Sequence, residues 1–247
     1  MRKSYYWNFG RRKSYNKNAR EGGMMKNASF FLLILSMLFL SSCFYIQVEY
    51  PPERGRTPLD EFHKSVPFSP GGTLSLANVN GNVEIHGWER EELEVYAEKM
   101  IQLPDRTKFY VYPRKDFAPG IVFDKFENFI KIRTKNVSEN KEIGFVDYFI
   151  DVPRSINLKD IVVRNGNMYI SGVCGDAYLD LTEGDITVEN TSAHLVAAFP
   201  DGEISSEFEI DVPPDDKKID TQWGENGPRI SLTALRGNIR ITKVTWY

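Results

Sequence analysis

Gly166-Asn167-Met168-Tyr169-Ile170, Gly184-Asp185-Ile186-Thr187-Val188 and Gly202-Glu203-Ile204-Ser205-Ser206 are three copies of one pattern, and the glycines stand 18 residues apart both times. Each copy is a glycine, then Asn, Asp or Glu, then an alternating run. A fourth copy, Gly237-Asn238-Ile239-Arg240-Ile241, follows 35 residues after Gly202. An early copy, Gly81-Asn82-Val83-Glu84-Ile85, stands alone near the start of the same region. Glycine before a short polar residue supplies a tight corner without a Cβ clash.

The apolar positions keep the same step. Met168, Ile186 and Ile204 form one column; Ile161, Leu179 and Ala197 form a second, and Val163, Leu181 and Phe199 a third. Leu195 falls 18 residues after Ala177 and 35 before Ile230. Such columns are what a coil of two short strands per turn requires, because each turn stacks its inward side chains on those of the last. The expectation is an all-β, solenoid-like fold (a β-helix or β-roll) with coils of about 18 residues, clearest over residues 160–244. A meander of hairpins would also space its turn residues evenly, but would not align several columns at once.

Working toward the N-terminus, Ile101 to Pro153 departs from the step. Phe109-Tyr110-Val111-Tyr112, Phe129-Ile130-Lys131-Ile132 and Val146 to Pro153 read as longer strands. They suggest an antiparallel elaboration in the N-terminal half, capping the open edge of the repeats. Asp211 to Pro228, with Pro213-Pro214 and Asp215-Asp216-Lys217-Lys218, reads as a loop inserted in one coil. Residues 43–65 read as a tether, extended from Phe44 to about Pro58, where Pro51-Pro52 and Glu53-Arg54-Gly55-Arg56 fall. The β-domain then occupies 66–247.

The first 42 residues have a different character. They hold Arg2, Lys3, Arg11, Arg12, Lys13, Lys17, Arg20 and Lys26 against a single acid, Glu21. Phe30 to Leu40 is an uncharged apolar run of 11 residues, too short for a bilayer core that needs roughly 20. Charged head, short apolar run and small residues together make residues 1–42 a signal peptide region. Leu40-Ser41-Ser42-Cys43 resembles the lipobox of bacterial lipoproteins, which implies cleavage between Ser42 and Cys43 and acylation (palmitate among the acyl chains) of Cys43. Because 24 residues precede Met25, and Arg20-Glu21-Gly22-Gly23 resembles a translated ribosome-binding sequence, the expected start is Met24 or Met25. With Cys43 acylated, Cys174 has no partner in the chain, so no disulfide framework is expected; Cys174 is then a small buried side chain or an inert thiol near a turn.

Past the leader, 23 bases face 33 acids, a charge near −10. That balance argues against nucleic acid as a partner, since phosphate recognition needs clustered Lys and Arg.

Leu76-x-Asn78-x-Asn80-Gly81-Asn82-Val83-x-Ile85-x-Gly87-Trp88, then Leu93-x-Val95, Tyr148-x-Ile150-x-Val152-Pro153 and the glycine repeats to Ile241, resemble the DUF4097-like family of bacterial adhesin domains. The resemblance covers about Leu74 to Val244. It implies an all-β, solenoid-like cell-envelope domain, commonly held on lipid- or membrane-anchored proteins, and it carries over no catalytic residue. The stretch around Asp215 departs from the family pattern.

Few residues carry the spacing of a reaction site. Glu84, Asp176, Asp180, Glu183, Asp185 and Glu189 fall at turns or outward strand positions, whereas glycoside hydrolysis needs two carboxylates across a cleft. His63, His86 and His194 lack metal-ligand spacing. His86 lies beside Gly87-Trp88 at an expected turn, and His194 opens a strand. No Ser-His-Asp, Cys-His or phosphate-loop constellation appears. Trp88, Tyr110, Tyr112, Trp223, Trp246 and Tyr247 are candidates for stacking on sugar rings. The expectation is therefore a non-enzymatic envelope lipoprotein with no catalytic, metal or cofactor residues, whose acidic surface serves binding or scaffolding along strand faces, with an envelope glycan or protein as the candidate partner. The alternatives are an accessory sensor in an envelope-stress system and, less favoured, a polysaccharide-active enzyme. Phe44 after Cys43 carries no inner-membrane retention signal, which makes the outer membrane the default in a cell with two.

Overall fold

The computed structural model describes residues 56–102, 118–135, 144–190, 192–210, 217–225 and 227–243. Among these there is no helix. Sixteen strands form: β1 Arg56–Pro67, β2 Thr73–Asn80, β3 Val83–Trp88, β4 Glu92–Gln102, β5 Gly120–Phe126, β6 Phe129–Lys135, β7 Gly144–Pro153 and β8 Asn157–Asn165. They continue with β9 Met168–Ser171, β10 Ala177–Glu183, β11 Ile186–Glu189, β12 Ala193–Ala198, β13 Ile204–Ser206, β14 Lys218–Trp223, β15 Arg229–Arg236 and β16 Ile239–Thr242.

The strands make two open, mixed sheets of eight. The first runs β1-β4-β7-β3-β9-β11-β16-β13 and the second β14-β12-β15-β10-β8-β2-β6-β5. Each repeat supplies one strand to each sheet and crosses at its glycine: β2 to β3, β8 to β9, β10 to β11, β12 to β13 and β15 to β16. Equivalent strands of neighbouring repeats pair in parallel, so Ile186 faces Met168 on one side and Ile239 on the other. Inward side chains of both sheets, among them Leu76, Ile85, Ile132, Ile150, Leu179 and Ile239, merge into one buried core. Alternating apolar residues make this possible, because every second position of each strand points between the sheets.

The columns expected from the 18-residue step are present, but their order is not the order of the chain. Leu179 pairs with Ile161 and Leu232, and Ala197 then pairs with Leu232. The last repeat, β15–β16, thus lies between β10–β11 and β12–β13. At the other end, β2–β3 lies between β8–β9 and the strands β6 and β7. A solenoid wound turn upon turn in chain order is not what the sheets display, and neither sheet closes. Column spacing reports which residues are equivalent, and equivalent repeats exchange places without disturbing it.

The repeated glycines stand in one column at the sandwich corner. A Cβ on Gly184, at φ +130°, would collide with the carbonyl oxygen of Gly166; one on Gly237, at φ +150°, would collide with that of Gly184. Residues after the glycines form a ladder beside them. Backbone N–H groups of Asn82, Asn167, Asp185, Asn238 and Glu203 donate to side-chain oxygens of Asp147, Asn82, Asn167, Asp185 and Asn238, at 2.7, 3.0, 2.9, 2.8 and 3.1 Å. Donors that a turn would leave open are satisfied by the neighbouring repeat. A shorter ladder holds the opposite corner, where Asp176 N–H donates to Asn157 Oδ1 at 3.1 Å and Arg229 N–H to Asp176 Oδ1 at 2.8 Å.

Two regions expected to be irregular contain strands. Residues 218–223, inside the expected loop, form β14, which pairs antiparallel with β12; Ile219 and Trp223 are buried there. β1 begins within the stretch assigned to the tether and pairs antiparallel with β4, bringing Phe62 and Val66 against the core. The antiparallel elaboration of the N-terminal half takes the form of β1-β4-β7 in the first sheet and β5-β6 in the second, while β7 itself runs parallel to β3. The run Phe109 to Tyr112 lies outside the described residues.

Candidate functional site: the outer face of the first sheet

Strands β4, β7, β3, β9 and β11 lie side by side, so their outward residues form straight rows across the face. One row is Tyr96, Phe149, Glu84, Tyr169 and Thr187; the next is Glu94, Asp151, His86, Ser171 and Glu189. Strands are about 4.8 Å apart and alternate residues about 6.7 Å apart, so the two rows make a dense grid.

Side chains within the grid are linked. His86 Nδ1 lies 2.8 Å from Ser171 Oγ, and its Nε2 lies 3.7 Å from Glu84 Oε2. The His86 and Tyr169 rings are 5.5 Å apart, and Tyr96 and Phe149 are tilted together at 6.1 Å. Burial, with help from a hydrogen bond to Glu189 and the charges of Glu189 and Glu84, pushes the Tyr169 phenol up to about 12; a hydrogen bond from Ser171 opposes this. Tyr96 is also raised, chiefly by burial and then by Glu61 and Glu98. Both phenols therefore remain neutral donors among carboxylates. At the margin His63 Nε2 sits 2.6 Å from Glu94 Oε1.

Ser171, His86 and Glu84 bring a hydroxyl, an imidazole and a carboxylate together, but only Ser171 is within hydrogen-bond reach of His86; the meeting is hidden in the sequence because 85 residues separate His86 from Ser171. Acyl transfer also needs donors gathered around a developing oxyanion. β3 and β9 are flanked by parallel strands on both sides, so their N–H groups are spent on ladders.

The other candidates separate. His86 lies within β3 and not at a turn; its half-exposed ring faces outward from the sheet. His194 is the second residue of β12 on the second sheet, and its Nε2 lies 2.6 Å from Asp220 Oδ1. Trp223 is withdrawn from any sugar-stacking role: it is buried in the core and covered by Phe208 at 4.9 Å. Trp88 donates its Nε1–H to Glu92 O at 2.9 Å, with Arg90 over its ring at 4.7 Å. Asp176, Asp180, Glu183 and Asp185 are exposed on strands and corners, and Asp176 and Asp185 serve the ladders. Cys174 is exposed in the β9–β10 link, where its N–H donates to Arg154 O at 2.6 Å. Among the described residues no group of His, Cys, Asp or Glu is arranged to hold a metal ion. Ser42, Cys43, Tyr110, Tyr112, Trp246 and Tyr247 lie outside the described residues.

No family model matches the chain, and no curated protein matches it. Solved structures similar to it include a candidate cell adhesion protein from Clostridium sporogenes, 15% identical with a TM-score of 0.47, covering 76% of this chain and 100% of that one. A candidate adhesin from Bacteroides fragilis is 10% identical with a TM-score of 0.24, covering 75% and 97%. A candidate lipid binding protein from Parabacteroides distasonis is 10% identical with a TM-score of 0.21 and the same coverage.

Proposed function

We propose that this chain is a cell-envelope lipoprotein, held to a membrane by lipid on Cys43, whose solenoid-like, adhesin-type β-domain binds an envelope glycan or protein through the outer face of the first sheet. The anchor reading comes from the leader and Leu40-Ser41-Ser42-Cys43, and the domain reading from the glycine repeats and the family resemblance. One observation carries the binding role: aromatic rings and hydrogen-bonding carboxylates alternate across one rigid face, with Tyr96, Phe149 and Tyr169 around Glu84. Rings supply area for apolar ring faces at low entropic cost, and neutral phenols and carboxylates supply direction. The strands hold these groups in place before a ligand arrives, which lowers the cost of binding.

Glycan arrays and membrane pulldowns with wild type and with Tyr169→Ala/Glu84→Gln test this reading. Wild type is expected to retain a glycan or an envelope protein, and the double variant to lose it by about tenfold or more with unchanged circular dichroism. Equal capture by both proteins would overturn the assignment of the face.

A further inference from the structure

The outer face of the second sheet differs in sign from that of the first. Across β5, β6, β2 and β8 the exposed or half-exposed residues include Lys131, Arg133 and Lys135 on β6, with Lys159 and Arg164 on β8. Against them stand Asp124, Asp160 and Glu127 of the β5–β6 turn, and Asp124 is already engaged by Arg133 at 2.8 Å. The zone ends at β10, where Asp180 and Glu183 begin. By contrast, the first sheet presents Glu84, Glu94, Glu98, Asp147, Asp151 and Glu189. A domain that is acidic overall has thus gathered bases on one end of one face.

Apolar side chains are mixed with those bases. Phe126, at the tip of the β5–β6 hairpin, is 62% exposed, and Val162 on β8 is 40% exposed. A large aromatic at a hairpin tip beside Lys and Arg fits the boundary between lipid headgroups and acyl chains, where rings insert and cations meet phosphate.

The chain enters the fold at the same end. β1 and β5 are the edge strands of the two sheets at the same end of the sandwich. They are joined there: Lys64 lies over the Phe123 ring at 4.1 Å, and Lys125 Nζ donates to Pro67 O at 2.6 Å. β1 begins at Arg56, 13 residues after Cys43. Fully extended, that length reaches at most about 45 Å. A lipid on Cys43 therefore tethers the domain within that distance of a bilayer, and the charges on its faces are left to select the orientation.

We infer that the β5-β6-β2-β8 face docks on an anionic lipid surface, with Phe126 at the headgroup boundary, so that the acidic face of the first sheet is turned away from the membrane. This rests on the lipoprotein reading for its setting, though the docking chemistry belongs to the domain alone. Opposite charges on the two faces select this orientation, because an anionic surface attracts one and repels the other.

The test uses the chain from residue 43 onward with Cys43→Ser, so that no lipid is attached, in co-sedimentation with phosphatidylcholine vesicles with or without phosphatidylglycerol. Binding is expected only with phosphatidylglycerol and is expected to fall with added salt. Lys131→Glu/Arg133→Glu/Lys135→Glu should weaken it by at least about tenfold and Phe126→Ala by a few-fold, whereas Glu94→Gln should leave it unchanged. Binding to neither vesicle, equal binding to both, or a fully folded triple variant that binds like wild type would overturn the inference. Lipid labelling of Cys43 is read separately on the wild-type chain: labelling without vesicle docking sinks only the docking face, and docking without labelling sinks only the anchor.

Discussion

Asn238 bridges Asp185 and Glu203: its N–H donates to Asp185 Oδ1 at 2.8 Å, and its own Oδ1 accepts the Glu203 N–H at 3.1 Å. Residue 238 thus fills the gap between two glycine corners that are 18 residues apart in sequence. The last repeat of the chain is an interior layer of the sandwich. β10–β11 and β12–β13 reach their final partners only when residues 229–242 have arrived, which makes this end of the fold rich in long-range pairings and slow to form.

Removing residues 229–247 should therefore do more than trim an end. It opens the parallel edges of β10, β11 and β12 and strips Ile230, Leu232, Ile239 and Ile241 from the core. The truncated chain should lose its cooperative thermal transition and be cleaved by protease within residues 193–223. A sharp transition near the wild-type temperature would contradict the interior position of β15–β16.

Two glycines give a contrast. Gly184→Ala puts a Cβ into the Gly166 carbonyl, a backbone group that cannot step aside, whereas Gly71, at φ +77°, has nothing within 4 Å of its Cβ position. Gly71→Ala should cost about 1 kcal/mol for its left-handed backbone alone. Gly184→Ala should cost at least about 3 kcal/mol, since it adds overlap to strain. Urea denaturation of both variants checks the difference.

The ladder depends on an acceptor oxygen and not on charge. Asp185→Asn keeps that oxygen and should change stability by less than about 0.5 kcal/mol, while Asp185→Ala leaves the Asn238 N–H without its partner and should cost about 1 kcal/mol. Equal effects from the two substitutions would show that the carboxylate charge matters instead.

Tyr148 makes the fold sensitive to alkali. Burial pushes its phenol up to about 12, with a hydrogen bond to Thr134 pulling the other way. The folded state therefore holds the proton more tightly than the unfolded chain, whose tyrosines titrate near 10. The resulting stability is fully present below about pH 10 and is lost as pH rises toward 12, by roughly 2–3 kcal/mol in all. Tyr148→Phe should flatten the stability profile across that window, read as unfolding free energy against pH with tyrosinate absorbance followed in parallel. Tyr169 titrates in the same range but is more open to water, and so contributes less.

The repeats made much of the architecture readable. Alternation fixed which side chains face inward, and the 18-residue step correctly aligned Met168, Ile186 and Ile204 as equivalent. It was silent on neighbour order, because Ile239 fits between Ile186 and Ile204 without altering any spacing. β14 was obscured by its charged flank at Asp215 to Lys218, which masks the alternation of Ile219, Thr221 and Trp223. The candidate site was invisible for a different reason. Glu84 and His86 belong to the early repeat and Tyr169 and Ser171 to a later one, and only the register of β3 against β9 joins them. Placing Ile85 opposite Ile170 would have predicted that meeting, had the early glycine repeat been stacked on Gly166.

The proposed lipid on Cys43 gives both the proposed binding face and the proposed docking face their membrane setting. Growing producing cells with an alkyne-tagged palmitate, and comparing wild type with Cys43→Ser, tests it most directly. Tagged lipid should appear on wild type in the membrane fraction, on a chain whose leader has been cleaved before residue 43, and should be absent from the uncleaved variant. Label of equal intensity on both proteins, or an unlabelled wild type released to the medium, would contradict the account.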